Sequence, residues 1–260
     1  MLITLTTDFG YADPFVGIMK GVILGIHAEA RIVDLSHDIA PQDVRAGALV
    51  LRHSLPYFRS GTIHIVVVDP GVGGARRPLL IESEGSYFVG PDNGVLSLAL
   101  EGKAPSHIIH LSNPLYHLTP TSTTFHGRDI FAPVAAHLSR GIPLPAFGEP
   151  ITTFKRLKWP GVVKHGGDLV GEVVYVDRFG NLFTNITEHD LAELAAARLR
   201  IQVGKIIISG LVQNYAAIKE GGFVALINSW GLLEIALYKD SAQNRTGAKI
   251  GHKVAVLTAS

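Results

Sequence analysis

Short β-branched apolar runs alternate with longer stretches of helical period through the first half of the chain. Leu2–Thr7 predicts a strand that ends at Asp8. Pro14–His27 predicts a helix, with Pro14 suited to its first turn and Phe15, Ile18, Met19, Val22 and Ile23 on one face. Arg31–Ser36 reads as a second strand ending at His37-Asp38, and Pro41–Phe58 as a longer helix. Thr62–Val68 is the kind of continuous apolar run that fills the centre of a sheet. Leu79–Ser83 and Tyr87–Gly90 predict further strands, and Val95–Glu101 and Gly127–Ser139 predict helices. This alternation implies an α/β fold whose mostly parallel sheet carries helices on both faces.

The pattern changes near residues 141–168, where Gly141-Ile142-Pro143-Leu144-Pro145, Trp159-Pro160-Gly161 and His165-Gly166-Gly167 form a Pro/Gly-rich linker. Beyond it strands dominate. Leu169–Asp177 and Leu182–Ile186 flank the turn Arg178-Phe179-Gly180-Asn181. Thr187-Glu188-His189-Asp190 resembles a capping box that opens a short helix through Ala197. Leu199–Ile208, Phe223–Asn228, Leu232–Tyr238 and Lys253–Thr258 predict further strands. The expected organisation is an N-terminal α/β domain over 1–160 and a smaller all-β, barrel-like C-terminal domain over 169–260.

Composition narrows the function classes. Hydrophobic residues make up 47% of the 260 and charged residues only 17%, enough apolar material for a large core and subunit contacts. A formal net charge of +1 gives no footing for nucleic acid or an anionic membrane. The absence of cysteine removes disulfides, thiolate metal sites and a cysteine nucleophile, and fits a reducing compartment. The N-terminal segment lacks a basic n-region, and no apolar run approaches the ~20 residues that span a bilayer. A soluble, cytoplasmic protein is expected.

The chemistry-bearing residues gather at strand ends. In Val66-Val67-Val68-Asp69-Pro70-Gly71-Val72-Gly73-Gly74-Ala75-Arg76-Arg77 a buried run delivers Asp69 to the sheet edge. Glycines then let Arg76 or Arg77 fold back towards it. Asp8, Asp38 and Asp177 also close strands or follow them, and Asp13 lies five residues past Asp8. Asp8 and Asp69 are expected to end adjacent strands and face one cleft, as ligand sites do in open α/β sheets. In Phe125-His126-Gly127-Arg128-Asp129, His126 stands where a loop enters a helix. No GxGxxG, GxxxxGK[ST], HExxH or GxSxG motif occurs. A metal site is disfavoured, because a guanidinium beside Asp69 would compete with a cation for the carboxylate.

Taken together, these segments resemble the S-adenosylmethionine hydroxide adenosyltransferases, adenosine-forming hydrolases related to fluorinase and chlorinase. The likeness rests on Thr7-Asp8-Phe9-Gly10 with Asp13, Asp69-Pro70-Gly71-Val72-Gly73 with Arg76, and Gly90-Pro91-Asp92-Asn93-Gly94. It continues through Phe125-His126-Gly127-Arg128-Asp129, Asp177-Arg178-Phe179-Gly180-Asn181-Leu182 and Asn228-Ser229-Trp230-Gly231, nearly the whole chain. It implies a homotrimer with S-adenosylmethionine held between subunits, and no metal or organic cofactor. It assigns Asp69, Arg76 and His126 to the catalytic group that activates water for attack at C5′ of the ribose.

Substrate contacts implied by the resemblance are Asp8 at the ribose hydroxyls, Asp13 and Asp177 near the methionine ammonium, Asn181 at adenine and Ser229 at the amino-acid end. Glu234, a lone carboxylate in Leu232–Leu237, is a further substrate-binding candidate. Trp230 stands where fluorinase has an arginine. Fluorinase-like relatives have an uncharged pocket at the positions of Asp69 and Gly127, with a serine for the halide, so the hydrolytic branch is expected here. Which sulfonium epimer is used, including the (R) form, stays open. So does the choice between Asp69 and His126 as proton acceptor. Two alternatives are a nucleoside-binding module with little turnover and a metal-dependent phosphohydrolase.

Overall fold

The computed structural model describes residues 1–192, 194 and 198–259. The chain divides into two compact units, Met1–Leu157 and Lys158–Ser260.

The first unit is built on seven strands: β1 (Leu2–Thr7), β2 (Arg31–Ser36), β3 (Ile63–Val67), β4 (Pro78–Ser83), β5 (Ser86–Pro91), β6 (His107–His110) and β7 (Glu149–Pro150). Their order is β2-β1-β3-β5-β4-β6-β7. The β2-β1-β3-β5 block is parallel, and β4, β6 and β7 extend it antiparallel. Three helices cover it: α1 (Phe15–Ile26), α2 (Val44–Ser54) and α3 (Ala132–Ser139). On one face Ile3, Leu5, Ile63, Ile65 and Val67 pack with Met19 and Ile23 of α1 and with the small apolar residues of α3. On the other, α2 lies so close that a Cβ on Gly47 would stand 2.9 Å from Val68 Cγ2. The α/β class expected from the periodicity is therefore present, with helices on both faces.

Where elements differ from expectation, local bonds explain it. The helix predicted from Pro41 starts at Val44, because Gln42 has a positive φ and the Asp43 side chain accepts the Ala46 N–H at 2.9 Å as its cap. Its tail tightens into a 3₁₀ turn, Leu55–Tyr57, containing Pro56. Val95–Glu101 holds only a 3₁₀ turn, Leu98–Leu100, since Asn93 and Ser97 direct their side chains to local backbone groups. The first turn of Gly127–Ser139 is π-helical, Gly127–Phe131. Pro133 has no N–H to offer, and the Asp129 carbonyl instead accepts from Leu118 at 2.8 Å.

The second unit is antiparallel throughout. Its strands are β8 (Val163–His165), β9 (Asp168–Val176), β10 (Leu182–Thr187), β11 (Arg198–Val203), β12 (Ile206–Ser209), β13 (Phe223–Ile227), β14 (Leu232–Leu237) and β15 (Lys253–Ala259). The order is β12-β11-β15-β9-β10-β14-β13, with β8 on β9. Just past β12, Val212 N–H donates to Ala225 O of β13 at 2.9 Å, which nearly closes the sheet into a barrel. Val173, Leu182, Ile186, Ile201, Leu233, Ile235 and Val254 fill it.

The single strand expected over Leu199–Ile208 is a hairpin that turns at Gly204, whose φ is +56°. Thr187 and Asp190 form a reciprocal cap on α4 (Glu188–Ala192). Beyond Ala192, Leu194 lies in a turn, and the rest of the helix expected through Ala197, residues 193 and 195–197, lies outside the described ones. A five-residue helix absent from the sequence reading, α5 (Ala242–Thr246), is capped by Ser241 and stopped by Gly247.

Candidate active site

The turn after β3 builds the centre of the first unit's cleft. Val66, Val67 and Val68 are buried, so the chain emerges at Asp69. Val72 N–H donates to Asp69 O at 3.2 Å and Gly74 N–H to Gly71 O at 3.1 Å, which reverses the backbone. Gly73, at φ +74°, passes so near the following loop that a Cβ would lie 2.1 Å from Thr123 O. No other residue fits there.

The reversal returns Arg76 to Asp69. Arg76 Nε donates to Oδ1 at 3.0 Å and to Oδ2 at 2.9 Å, and Nη2 bonds Oδ2 as well. Only 4% of the Asp69 side chain and 8% of that of Arg76 are exposed. Of the two arginines left open by the sequence, Arg77 turns the other way and clamps Asp92 and the Thr153 carbonyl.

Arg76 Nη2 also reaches His126 Nδ1, at 2.8 Å. A guanidinium has no acceptor, so Nδ1 receives this bond and a neutral His126 carries its proton on Nε2. Burial, then the Arg76 charge, pulls the His126 pKa below its ordinary value, outweighing the opposing pull of Asp69 and Asp129. The cluster thus holds a paired carboxylate, a guanidinium and a neutral imidazole.

A cleft of about 750 Å³ opens beside it, lined by Asp8, Asp69, His126 and Gly127 among others. The parallel β1–β3 register, Thr7 opposite Val67, places Asp8 and Asp69 at one sheet edge as expected. Asp8 Oδ2 accepts the Gln42 N–H at 2.7 Å. Phe9, Phe15 and Phe125 form one wall, their rings edge-to-face at 5.2–5.8 Å. Gly127 is closely packed: a Cβ there would stand 3.2 Å from both Met19 Sδ and the Phe125 ring. Asp13 is exposed and has no hydrogen bond or ion pair among the described residues. Asp38 is exposed too and does not line the cleft.

The remaining predicted residues belong to the second unit. Asp177 and Asn181 line a separate pocket of about 610 Å³. Asp177 Oδ1 accepts the Phe179 and Asn181 N–H groups, both at 2.9 Å, and Oδ2 accepts Asn181 Nδ2 at 2.9 Å. Glu234 does not line that pocket. It is fully buried in β14, where Tyr215, which does line the pocket, donates its hydroxyl to Oε1 at 2.9 Å. Burial raises the Glu234 pKa and, more strongly, that of Tyr215. Ser229 is exposed on the β13–β14 turn, while Trp230 packs on Tyr175 and Phe183 at 5.2 and 5.1 Å.

The predicted residues therefore assemble as two groups, Asp8, Asp69, Arg76 and His126 in one unit and Asp177, Asn181 and Glu234 in the other. The sequence reading missed Gln42, the aromatic wall and Tyr215. Phe9 and Phe125 flank Asp8 and His126 directly, a usable signal, whereas nothing local marks Tyr215. Among the described residues no group of three or more His, Asp or Glu side chains is arranged to hold a metal ion. No helix among them is long and apolar enough to cross a membrane.

Comparison with known proteins covers both units. The family model for the SAM hydroxide adenosyltransferase N-terminal domain matches residues 3–148, and that for the C-terminal domain matches 171–255. An (R)-S-adenosyl-L-methionine hydrolase of Thermus thermophilus is 37% identical, over 96% of this chain and 97% of its own length. A fluorinase of Actinoplanes sp. is 30% identical, over 90% of each chain. The solved structure of an uncharacterized conserved protein from Thermotoga maritima matches with a TM-score of 0.91 at 34% identity, over 98% of this chain and 99% of that one.

Proposed function

The chain belongs to the SAM hydroxide adenosyltransferase family, and from that premise we propose that it hydrolyses S-adenosylmethionine to adenosine and L-methionine. Water or hydroxide attacks C5′ of the ribose, the C5′–sulfur bond breaks, the sulfur leaves as a neutral thioether and one proton is released. The observation that carries this reading is the Asp69–Arg76–His126 cluster at the mouth of a cleft.

A sulfonium leaving group needs no general acid, so one nucleophile-activating cluster suffices. Arg76 pairs with Asp69 and orients it. With His126 Nδ1 occupied by Arg76, the open proton acceptor is Asp69, whose Oδ1 accepts a single Arg76 bond and retains a lone pair. Asp69 takes the water's proton while His126 Nε2–H holds the oxygen. Such proton transfer contributes typically ~10²–10⁴ in rate. In-line placement against C5′ supplies a further term. A halide has no comparable footing: the Asp69 carboxylate repels an anion, and Gly127 offers no hydroxyl and little room for one.

Asp8 serves the ribose hydroxyls, Asn181 adenine, Asp13 and Asp177 the ammonium, and Ser229 the amino-acid end. Glu234 acts behind Tyr215. Because Asp8 lines a pocket in one unit while Asp177 and Asn181 line a pocket in the other, we infer a homotrimer in which neighbouring subunits complete each site. The (R)-sulfonium epimer is the proposed substrate, the form named for the Thermus relative. No metal is required, no nucleic acid is bound, and the cysteine-free sequence suits the cytoplasm.

Incubation with each epimer in ¹⁸O-labelled water tests this. Adenosine labelled at its 5′-hydroxyl is expected, unaffected by chelator and without 5′-halo-5′-deoxyadenosine in excess chloride or fluoride. Halogenated nucleoside formed as fast as adenosine sinks the hydrolase reading. Light scattering that finds a fully active monomer sinks the shared site.

A further inference from the structure

A second polar chain lies beside the cleft, on the side where β1 meets β2. Lys20 Nζ of α1 donates to Asp34 Oδ2 at 2.6 Å, and Tyr11 OH to the same oxygen at 3.3 Å. His37 Nε2 stands 3.1 Å from Asp34 Oδ1, with the imidazole fully enclosed. His37 Nδ1 is 2.8 Å from Thr7 Oγ1. Thr7 is itself fully buried, and its Oγ1 accepts the Phe9 N–H at 3.2 Å. The His37 carbonyl accepts the Gly10 N–H at 2.8 Å. One histidine therefore holds the Asp8-Phe9 loop from both ends, through its ring at Thr7 and through its carbonyl at Gly10.

One proton arrangement fits the hydrogen bonds at His37 Nδ1 and Thr7, while His37 Nε2 and Asp34 Oδ1 meet as a 3.1 Å polar contact without hydrogen-bond alignment. Nε2–H faces Asp34, the Nδ1 lone pair receives the Thr7 hydroxyl, and Thr7 Oγ1 keeps a lone pair for Phe9 N–H. A Thr–His–Asp order resembles a nucleophile relay, but this hydroxyl has no solvent exposure and is engaged by Phe9. It can position, not attack.

We propose that Lys20, Asp34, His37 and Thr7 form a positioning network that sets Asp8 in place for the ribose hydroxyls before substrate arrives. The inference rests on the reading that Asp8 binds ribose. Its warrant is that a site residue is only as well placed as the groups that lock it, and that order present beforehand need not be created on binding.

The test uses the full-length protein and four measurements: calorimetric Kd for adenosine and for 2′,3′-dideoxyadenosine, and kcat and KM for S-adenosylmethionine. Thr7→Val and Asp34→Asn are expected to weaken adenosine binding and raise KM by about fivefold to tenfold, the scale of one hydrogen bond. Their kcat stays within about twofold, as for uniform binding, and dideoxyadenosine affinity does not change. Thr7→Ser, which keeps the hydroxyl, stays near wild type. Should Thr7→Val fail to fold, Asp34→Asn, at a site 26% exposed, carries the test. Equal losses on both nucleosides, or none on either, overturn the inference. A wild-type protein that prefers adenosine over dideoxyadenosine, and loses that preference in Asp34→Asn, supports the network even if it makes no adenosine. That last outcome removes only the hydrolase reading.

Discussion

Two buried carboxylates, one in each unit, face opposite kinds of partner. Asp69 is enclosed but faces the Arg76 guanidinium through Nε and Nη2, so its negative charge is matched where it sits. Glu234 is equally enclosed but faces a phenol; burial pushes its pKa up, and Asp177 nearby adds to the rise. Tyr215 and Asn228 pull the other way without reversing it. Burial alone therefore does not decide how an acid is held: a guanidinium balances its charge, whereas a phenol leaves burial as the dominant influence.

The widest break in this comparison comes from removing the charge match. Asp69→Ala, Arg76→Ala and His126→Ala are each expected to cut adenosine formation by at least ~10² with the fold retained. Steady-state assays beside circular dichroism check this, and near-normal turnover in any folded variant takes that residue out of the unit.

A pH profile sharpens it. His126 must stay neutral to accept from Arg76, and its pKa lies below the ordinary 6.5. Activity should therefore persist below pH 6.5 and fall only in stronger acid, by about tenfold per pH unit past the His126 pKa. A profile that breaks above pH 6.5 contradicts the neutral assignment.

On the other side, Asp177→Asn should raise KM by about tenfold, through loss of a charge-assisted contact to the ammonium. Glu234→Gln should change it less than about threefold, because the amide oxygen can still accept the Tyr215 hydroxyl. Equal penalties for the two would erase the distinction drawn here. Smallest is Asp13→Asn, expected to raise KM by less than about threefold, since a solvent-exposed ion pair contributes little.

Much of this was legible along the chain. The β-branched run into Asp69 and the parallel β1–β3 pairing follow from period and punctuation, so the shared edge of Asp8 and Asp69 could be foreseen. The choice between Arg76 and Arg77 could not, because adjacent residues leave the turn on opposite sides and pairing is settled in three dimensions. Val95–Glu101 looked helical by apolar content, yet side-chain bonds from Asn93 and Ser97 cut it to one turn. Tyr215 carries no local signature, since its partner lies nineteen residues further on, in β14. Gln42 enters the site through backbone, which residue identity does not announce.

The crowding at Gly127 bears on how such a site changes hands between chemistries. Installing a hydroxyl there to cradle a halide would first press a side chain against Met19 Sδ and the Phe125 ring. The step is epistatic: Gly127→Ser asks Met19 and Phe125 each to yield by a few tenths of an ångström, and a smaller residue at 19 relieves only the first of these contacts. A passage from hydrolysis towards halogenation through this position would therefore involve the packed rear of the cleft as well as its open front.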